Sequence, residues 1–166
     1  MEEESVIREL LDVMPQQGRV EWVSTRPRRR QPPVPAEAVQ VTPEEGLVGD
    51  HYAGRSGKRQ VTLIQGEHLD AVASILGRDR IDPALTRRNI VVRGINLLAL
   101  NGRRFRIGTA VLEATGLCHP CTRMEENLGP GGYNAMRGHG GITARVVEGG
   151  TIRIGDAVVL LKSTEG

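Results

Sequence analysis

The stretch Phe105-Arg-Ile-Gly-Thr-Ala-Val-Leu-Glu-Ala-Thr115, continuing as Gly-Leu-Cys-His-Pro-Cys-Thr-Arg-Met-Glu-Glu126, decides how the chain reads. Residues 104–107 and 110–115 are short runs of strand character, and Gly108 supplies a turn between them. A related turn, Ile152-Arg-Ile-Gly-Asp156, leads into another run at 157–161, and residues 142–147 form one more. Two such turns do not make a repeat array. The second half of the stretch carries both cysteines of the protein and is followed by the glycine-rich segment 129–141. A rigid strand presenting thiols beside a loop that can wrap a ligand is a common layout for a reactive site.

Outward from this stretch the chain continues in short elements. Residues 19–24 alternate apolar and polar and read as a strand, as do 39–41, the β-branched run 58–64 and residues 88–92. Arg26 to Pro35 holds four prolines and four arginines and reads as an irregular connection. Residues 43–54 are loop-like, with glycines at 46, 49 and 54. Gly66 to Leu76 is the clearest helix, with Leu69, Val72, Ala73 and Leu76 on one face and Gly77 as its stop. Residues 95–100 are apolar but too short to classify. Val6, Ile7, Leu10, Leu11 and Met14 recur at helical spacing before Pro15 and read as a short amphipathic helix, packed on the body or swapped from it. The expected organisation is an N-terminal helical extension, residues 1–18, and one domain, residues 19–166. Its fold class is mainly β: a mainly antiparallel β-barrel with a few short helices.

Bulk composition excludes several functions. The net charge is +2 with a pI near 8.8, and much of the positive charge sits in the local run Arg26-Pro-Arg-Arg-Arg30. A solvated loop explains that run better than a nucleic-acid arm. Trp22, Tyr52, Phe105 and Tyr133 are the only aromatics, too few for a base-stacking platform. No run approaches the roughly 20 apolar residues of a membrane span. The acidic start Met1-Glu-Glu-Glu4 is unlike a signal peptide, and free thiols suit a reducing compartment, so a cytoplasmic location is expected. No Gly-x-Gly-x-x-Gly follows a strand and opens a helix, so no Rossmann or P-loop reading is available.

Cys118 and Cys121 form a single Cys-x-x-Cys. Structural zinc needs four ligands, and the histidines at 51, 68, 119 and 139 show no finger spacing. A thioredoxin-like dithiol needs a βαβ setting that the strand pattern around this motif does not offer. Two buried cysteines acting as small hydrophobes remain an alternative. Against it, His119 and Arg123 flank Cys121, and positive charge favours the thiolate, the form that ligates metal or accepts sulfur. Glu125 and Glu126 oppose that effect.

Five blocks occur in order: Gly46-Leu-Val-Gly-Asp50, Arg59-Gln-Val-Thr-Leu-Ile64, Arg87-Arg-Asn-Ile-Val-Val-Arg-Gly-Ile95, Cys118-His-Pro-Cys-Thr-Arg123 and Gly149-Gly-Thr-Ile-Arg-Ile-Gly-Asp156. Together they resemble the MOSC domain, named for the C-terminal domain of molybdenum cofactor sulfurases, from about residue 20 to 161. The resemblance implies a β-barrel and a molybdenum cofactor (molybdopterin) site. It implies that Cys121 ligates molybdenum or carries sulfur, and that Cys118 occupies a position that need not be cysteine. The family pattern after Gly49-Asp50 has a histidine where this chain has Tyr52, which leaves His51 without an implied role. An anionic pterin needs cationic and N–H donors, for which the matching blocks offer Arg59, Arg87, Arg88, Asn89 and Arg123. Asp50 either orients an arginine or caps its turn; His139 is a weaker contact candidate. Implied activities are reduction of N-hydroxylated compounds with outside redox partners, or sulfur transfer from an outside donor. The sequence contains no pyridoxal-phosphate, flavin or iron–sulfur module that would supply either internally. A non-catalytic binding or sulfur-carrier module with passive cysteines is the other class.

Overall fold

The computed structural model describes residues 2–51 and 57–162; Tyr52 and Gly54, noted above, lie outside them. Eleven strands and four short helices follow in the order α1 (Glu2–Leu10), β1 (Gly18–Thr25), β2 (Val34–Ala36), β3 (Ala38–Thr42), β4 (Gly46–Leu47), β5 (Val61–Gln65), α2 (Gly66–Leu76), β6 (Ile90–Arg93), β7 (Arg104–Ile107), β8 (Ala110–Leu117), α3 (Arg123–Leu128), α4 (Gly132–Met136), β9 (Ile142–Glu148), β10 (Gly150–Arg153) and β11 (Ala157–Leu160).

Seven strands close into a barrel in the order β1-β11-β7-β8-β9-β5-β6, returning to β1, with β2 appended to β1. Strands β10, β3 and β4 form a small second sheet. Closure removes the free edges that a sheet otherwise exposes. Register shifts in β1 and β8 supply the local bends that curvature needs. The expected mainly β barrel is therefore the observed fold. Alternation along β7 and β8 turns Phe105, Ile107 and Leu112 inward, where they pack with Leu63, Ile90 and Val92.

One pair departs from the antiparallel pattern. Strands β5 and β6 run parallel, joined by α2 and a 3-10 turn, Pro83–Thr86. Both faces of this pair are covered, because Ile64 and Val91 pack outward against α2, α3 and α4. That explains why the two strands read as nearly continuous apolar runs. The parallel arrangement brings the residues before β5 and before β6 to one end of the barrel. Strand β1 is antiparallel to β6, with Val23 opposite Ile90, so its far end arrives there too.

Four segments differ from the sequence expectation. Residues 95–100, left unclassified, contain a 3-10 turn, Leu97–Leu100, capped by Asn96. The glycine-rich segment is partly helical, since α4 lies within it and packs on α2 and α3. Part of the Arg26–Pro35 connection is strand β2. Helix α1 buries none of its residues; the chain just after it is held by Arg103, which donates to the Leu11 carbonyl and the Asp12 carboxylate. Among the described residues no helix is long and apolar enough to cross a membrane.

Phe105 is fully buried at the barrel centre, so Phe105→Ala should lower the unfolding free energy by about 3–5 kcal/mol. Urea denaturation measures this, and a loss below about 1 kcal/mol would mean that the barrel core does not carry the fold.

Candidate functional site

The barrel end that collects the approaches to β5 and β6 opens into a cavity of about 430 Å³. Among the described residues, seven arginines line it (Arg26, Arg29, Arg30, Arg59, Arg87, Arg88 and Arg123) together with His51, Thr62, Asn89, Cys118 and Cys121. No carboxylate is among the described residues of its wall. Of the residues singled out in sequence, Cys121, Arg59, Arg87, Arg88, Asn89 and Arg123 therefore meet in one place.

Asp50 does not line the cavity. Its buried carboxylate accepts the Arg26 backbone N–H at 2.7 Å, and the His51 backbone N–H donates to the Arg26 carbonyl, also at 2.7 Å. Asp50 thus fixes the start of the arginine loop from behind, through the backbone. The Arg26–Arg30 run is a largely exposed loop, as read, and three of its arginines also line the cavity. What the sequence did offer was four arginines placed directly after a strand; what it could not offer was the cavity they turn toward.

Arg88 differs from its neighbours. It is only 6% exposed. Its Nε donates to the Gly140 carbonyl at 2.8 Å and its Nη1 to the Thr86 carbonyl at 3.0 Å, while Nη2 reaches the Cys118 and His119 carbonyls, both at 3.4 Å. Burial pushes its pKa below the usual arginine range, and the nearby thiols Cys118 and Cys121 work in the opposite direction. Arg88 is first a clamp on the cysteine loop; its charge reaches the cavity, but its donors are spent on carbonyls. Asn89 is similarly engaged. Its side-chain oxygen accepts from the Thr62 N–H at 2.9 Å and the Thr62 hydroxyl at 3.0 Å, so its amide NH₂ is the group it can offer a ligand. Ser24, not apparent from sequence, lies buried beneath the pair and donates its hydroxyl to the Arg88 and Asn89 carbonyls.

Among the described residues, only Arg30 (φ 67°) and Arg87 (φ 61°) adopt positive φ without being glycine. Each such residue costs on the order of 1–3 kcal/mol and persists where the surroundings impose it. Both arginines are in the cavity wall.

The two cysteines are unequal. Cys118 is 3% exposed, its N–H donates to the Gly141 carbonyl at 2.8 Å, and Arg59 Nη2 stands 4.0 Å from its sulfur. Cys121 is exposed in the cavity, one turn before α3. Arg123 shares its cavity, whereas His119 lines a different one on the other face of the loop. Glu125, expected to oppose the positive charge, turns away: its carboxylate accepts the Gly131 and Tyr133 N–H groups, both at 3.0 Å, and these bonds hold its pKa below the usual carboxylate range. His139 is tied to the Ala135 carbonyl at 2.8 Å and stacks edge-on with His68, outside the arginine cavity. Among the described residues no three metal-ligating side chains converge.

A family model for the MOSC domain matches residues 43–159, more than half of the chain. The chain belongs to the MOSC family. Solved structures repeat the fold. The YuaD protein from Bacillus subtilis has a TM-score of 0.77 and 19% identity, over 90% of this chain and 98% of its own. YiiM from Geobacillus stearothermophilus gives 0.71 and 17%, over 90% and 77%. YiiM from Escherichia coli gives 0.66 and 18%, over 89% and 72%. Likeness at this identity is likeness of fold. A search of the curated proteins finds none that matches. The MOSC match begins at residue 43, so the cavity arginines Arg26, Arg29 and Arg30 lie outside it.

The geometry separates two roles for the arginines of this MOSC domain. Arg88→Met should cost about 2 kcal/mol or more, since bonds from a charged donor contribute about 1.5–3 kcal/mol each, and should speed amide exchange at Cys118. Arg59→Met, at an exposed position, should stay within about 0.5 kcal/mol of wild type. Equal stability losses in the two variants would refute the division.

Proposed function

We propose that this MOSC protein binds the molybdenum cofactor in the arginine cavity, with Cys121 as molybdenum ligand, and serves the reduction of N-hydroxylated compounds with electrons from an outside redox protein. The observation that carries this reading is an exposed thiol opening into a cavity walled by seven arginines and, among its described residues, no carboxylate.

The residues fit the group. A volume of about 430 Å³ lies within the roughly 300–1,000 Å³ of small-molecule sites. A single inorganic anion does not require so many cations, whereas a pterin phosphate together with sulfur ligands and a metal oxo group does. Arg59, Arg87 and Arg123 would hold the phosphate and dithiolene charge, the Asn89 amide would add a neutral donor, and the soft Cys121 thiolate suits a soft-to-borderline metal centre. When bound, the cofactor supplies a two-electron centre for cleaving an N–O bond. The chain's own contribution is electrostatic and positional. The clamp on Cys118 and His119 holds the loop that carries Cys121, and the guanidinium groups would neutralise an otherwise repulsive cluster of negative charge. Overall, R–NHOH with two electrons and two protons gives R–NH₂ and water, so the reaction needs an external electron donor.

Protein made in a cofactor-competent host should carry molybdenum and pterin. In Cys121→Ala the metal should fall about tenfold or more, with Cys118→Ala close to wild type. Equal molybdenum in wild type and Cys121→Ala, or none in either, would remove the ligand role. A persulfide on Cys121 without metal would point to sulfur transfer instead. Reduction of an amidoxime with added redox partners then separates an enzyme from a passive carrier.

A further inference from the structure

Helix α1 takes no part in the arginine cavity, and it buries none of its residues. At roughly 100° per residue, Val6, Ile7, Leu10 and Leu11 fall on one face, with Ser5, Arg8 and Glu9 opposite. Leu10 is 58% exposed and Leu11 60% exposed. The root of the helix is nevertheless held. The Leu11 N–H donates to the Ile7 carbonyl at 3.0 Å, Arg103 grips the Leu11 carbonyl and the Asp12 carboxylate, and Met14 packs on the barrel core. The chain thus presents a short helix from an anchored base with its apolar face open. Such a helix is marginal in water alone, because most helical stability in proteins comes from packing that face.

We propose that α1 docks on a second copy of this chain: two molecules exchange helices about a two-fold axis, each laying Val6, Ile7, Leu10 and Leu11 across an apolar cavity behind the other's cysteine loop.

Three observations support the assignment. The first is a matching surface. The cavity on the opposite face of the cysteine loop is walled by Leu97, Leu98, Leu117, Pro120 and Ile142, with Gln65, His68 and His119 at its edges and no arginine or carboxylate among its described lining residues. Leu98 is 56% exposed and Leu117 43% exposed, and large apolar side chains left uncovered around a concavity mark an interaction site. Its volume of about 170 Å³ is close to the roughly 150 Å³ of an apolar cavity that accepts benzene. It therefore takes leucine-sized side chains from a helix lying across its mouth, the helix-in-groove mode of recognition. The second is charge. Helix α1 carries Glu2, Glu3, Glu4 and Glu9 against Arg8 alone, the wrong sign for anionic lipid or nucleic acid. The flanks of the cavity have the opposite sign. Lys58, whose carbonyl accepts the Thr115 hydroxyl near Leu117, and Arg137, adjacent to Gly138 of the wall, are both exposed. The third is placement. Arg103, which grips the root of α1, follows closely on the 3-10 turn Leu97–Leu100 that carries Leu98. Each helix leaves the body near its own groove, so two molecules set face to face bring each helix to the other's groove. Such an isologous exchange fills both surfaces on both chains and closes at two copies.

This contact needs neither metal nor Cys121, so it stands or falls apart from the cofactor reading. The test is sedimentation velocity on full-length, metal-free protein from about 1 to 100 μM, a range that brackets micromolar association. The expected result is a reversible monomer–dimer equilibrium with no larger species. Leu10→Glu and Leu98→Glu, one on each side of the contact and both at exposed positions, should each weaken the dimer about tenfold or more. Ile75→Glu, at an equally exposed position on α2 outside the cavity wall, should leave it unchanged. A wild type that stays monomeric at every concentration would overturn the exchange. So would a Leu98→Glu dimer as tight as wild type, which would mean that the helices cover some other surface. Oligomers that keep growing with concentration would exclude the closed two-fold arrangement. Cosedimentation of monomeric protein with phosphatidylglycerol vesicles would assign α1 to a lipid surface instead. The concentration dependence uses wild-type protein alone, so a variant that fails to fold does not blunt the result.

Discussion

A buried positive charge organises this end of the barrel. The Arg88 guanidinium has left water, and a charge moved out of water is tolerated only when its donors are satisfied and fixed in place. The carbonyls that satisfy it come from three separate places: Thr86 before β6, Gly140 at the close of the glycine-rich segment, and Cys118 with His119 in the cysteine loop. Three connections are thereby tied to one atom group. The same device recurs nearby, as the Ser24 hydroxyl holds the Arg88 and Asn89 carbonyls and the Asp50 carboxylate holds the Arg26 N–H. Each anchor grips backbone. The two arginines at positive φ, Arg30 and Arg87, both lie in this wall, and Arg87 takes the left-handed position that ends the 3-10 turn Pro83–Thr86.

The clamped loop also divides two environments. On one side stand arginines and an exposed thiol; on the other, leucines with histidines at the edge. Placing such unlike chambers a few residues apart follows from the parallel β5–β6 pair. The starts of both strands feed the basic side, while the end of β5 and the start of α2 feed the apolar side.

Much of the barrel was legible because its strands are β-branched and short, and glycines at 77, 108 and 155 sit at positive φ where turns or a helix stop were read. The cysteine loop and the arginines before β5 and β6 were legible through the family's ordered blocks. Other features were not. Helices α3 and α4 have six and five residues, below the length at which helical periodicity can be read, and they exist because Met124, Leu128 and Met136 bury against α2 and the outer face of β5–β6. The role of the Arg26–Arg30 loop depends on contacts with residues such as Asp50, 24 positions away, which no local pattern encodes. Arg88 could not be told from Arg87 by type; one residue of difference in position sends it inward, while Arg87 takes the left-handed turn.

The claim at the centre is that Cys121, and not Cys118, is the thiol that meets the metal. Molybdenum K-edge X-ray absorption on loaded wild type, Cys118→Ala and Cys121→Ala tests it most directly. The account predicts a sulfur contribution present in the first two proteins and diminished only in Cys121→Ala. An unchanged sulfur shell in Cys121→Ala, or its loss in Cys118→Ala, would contradict it.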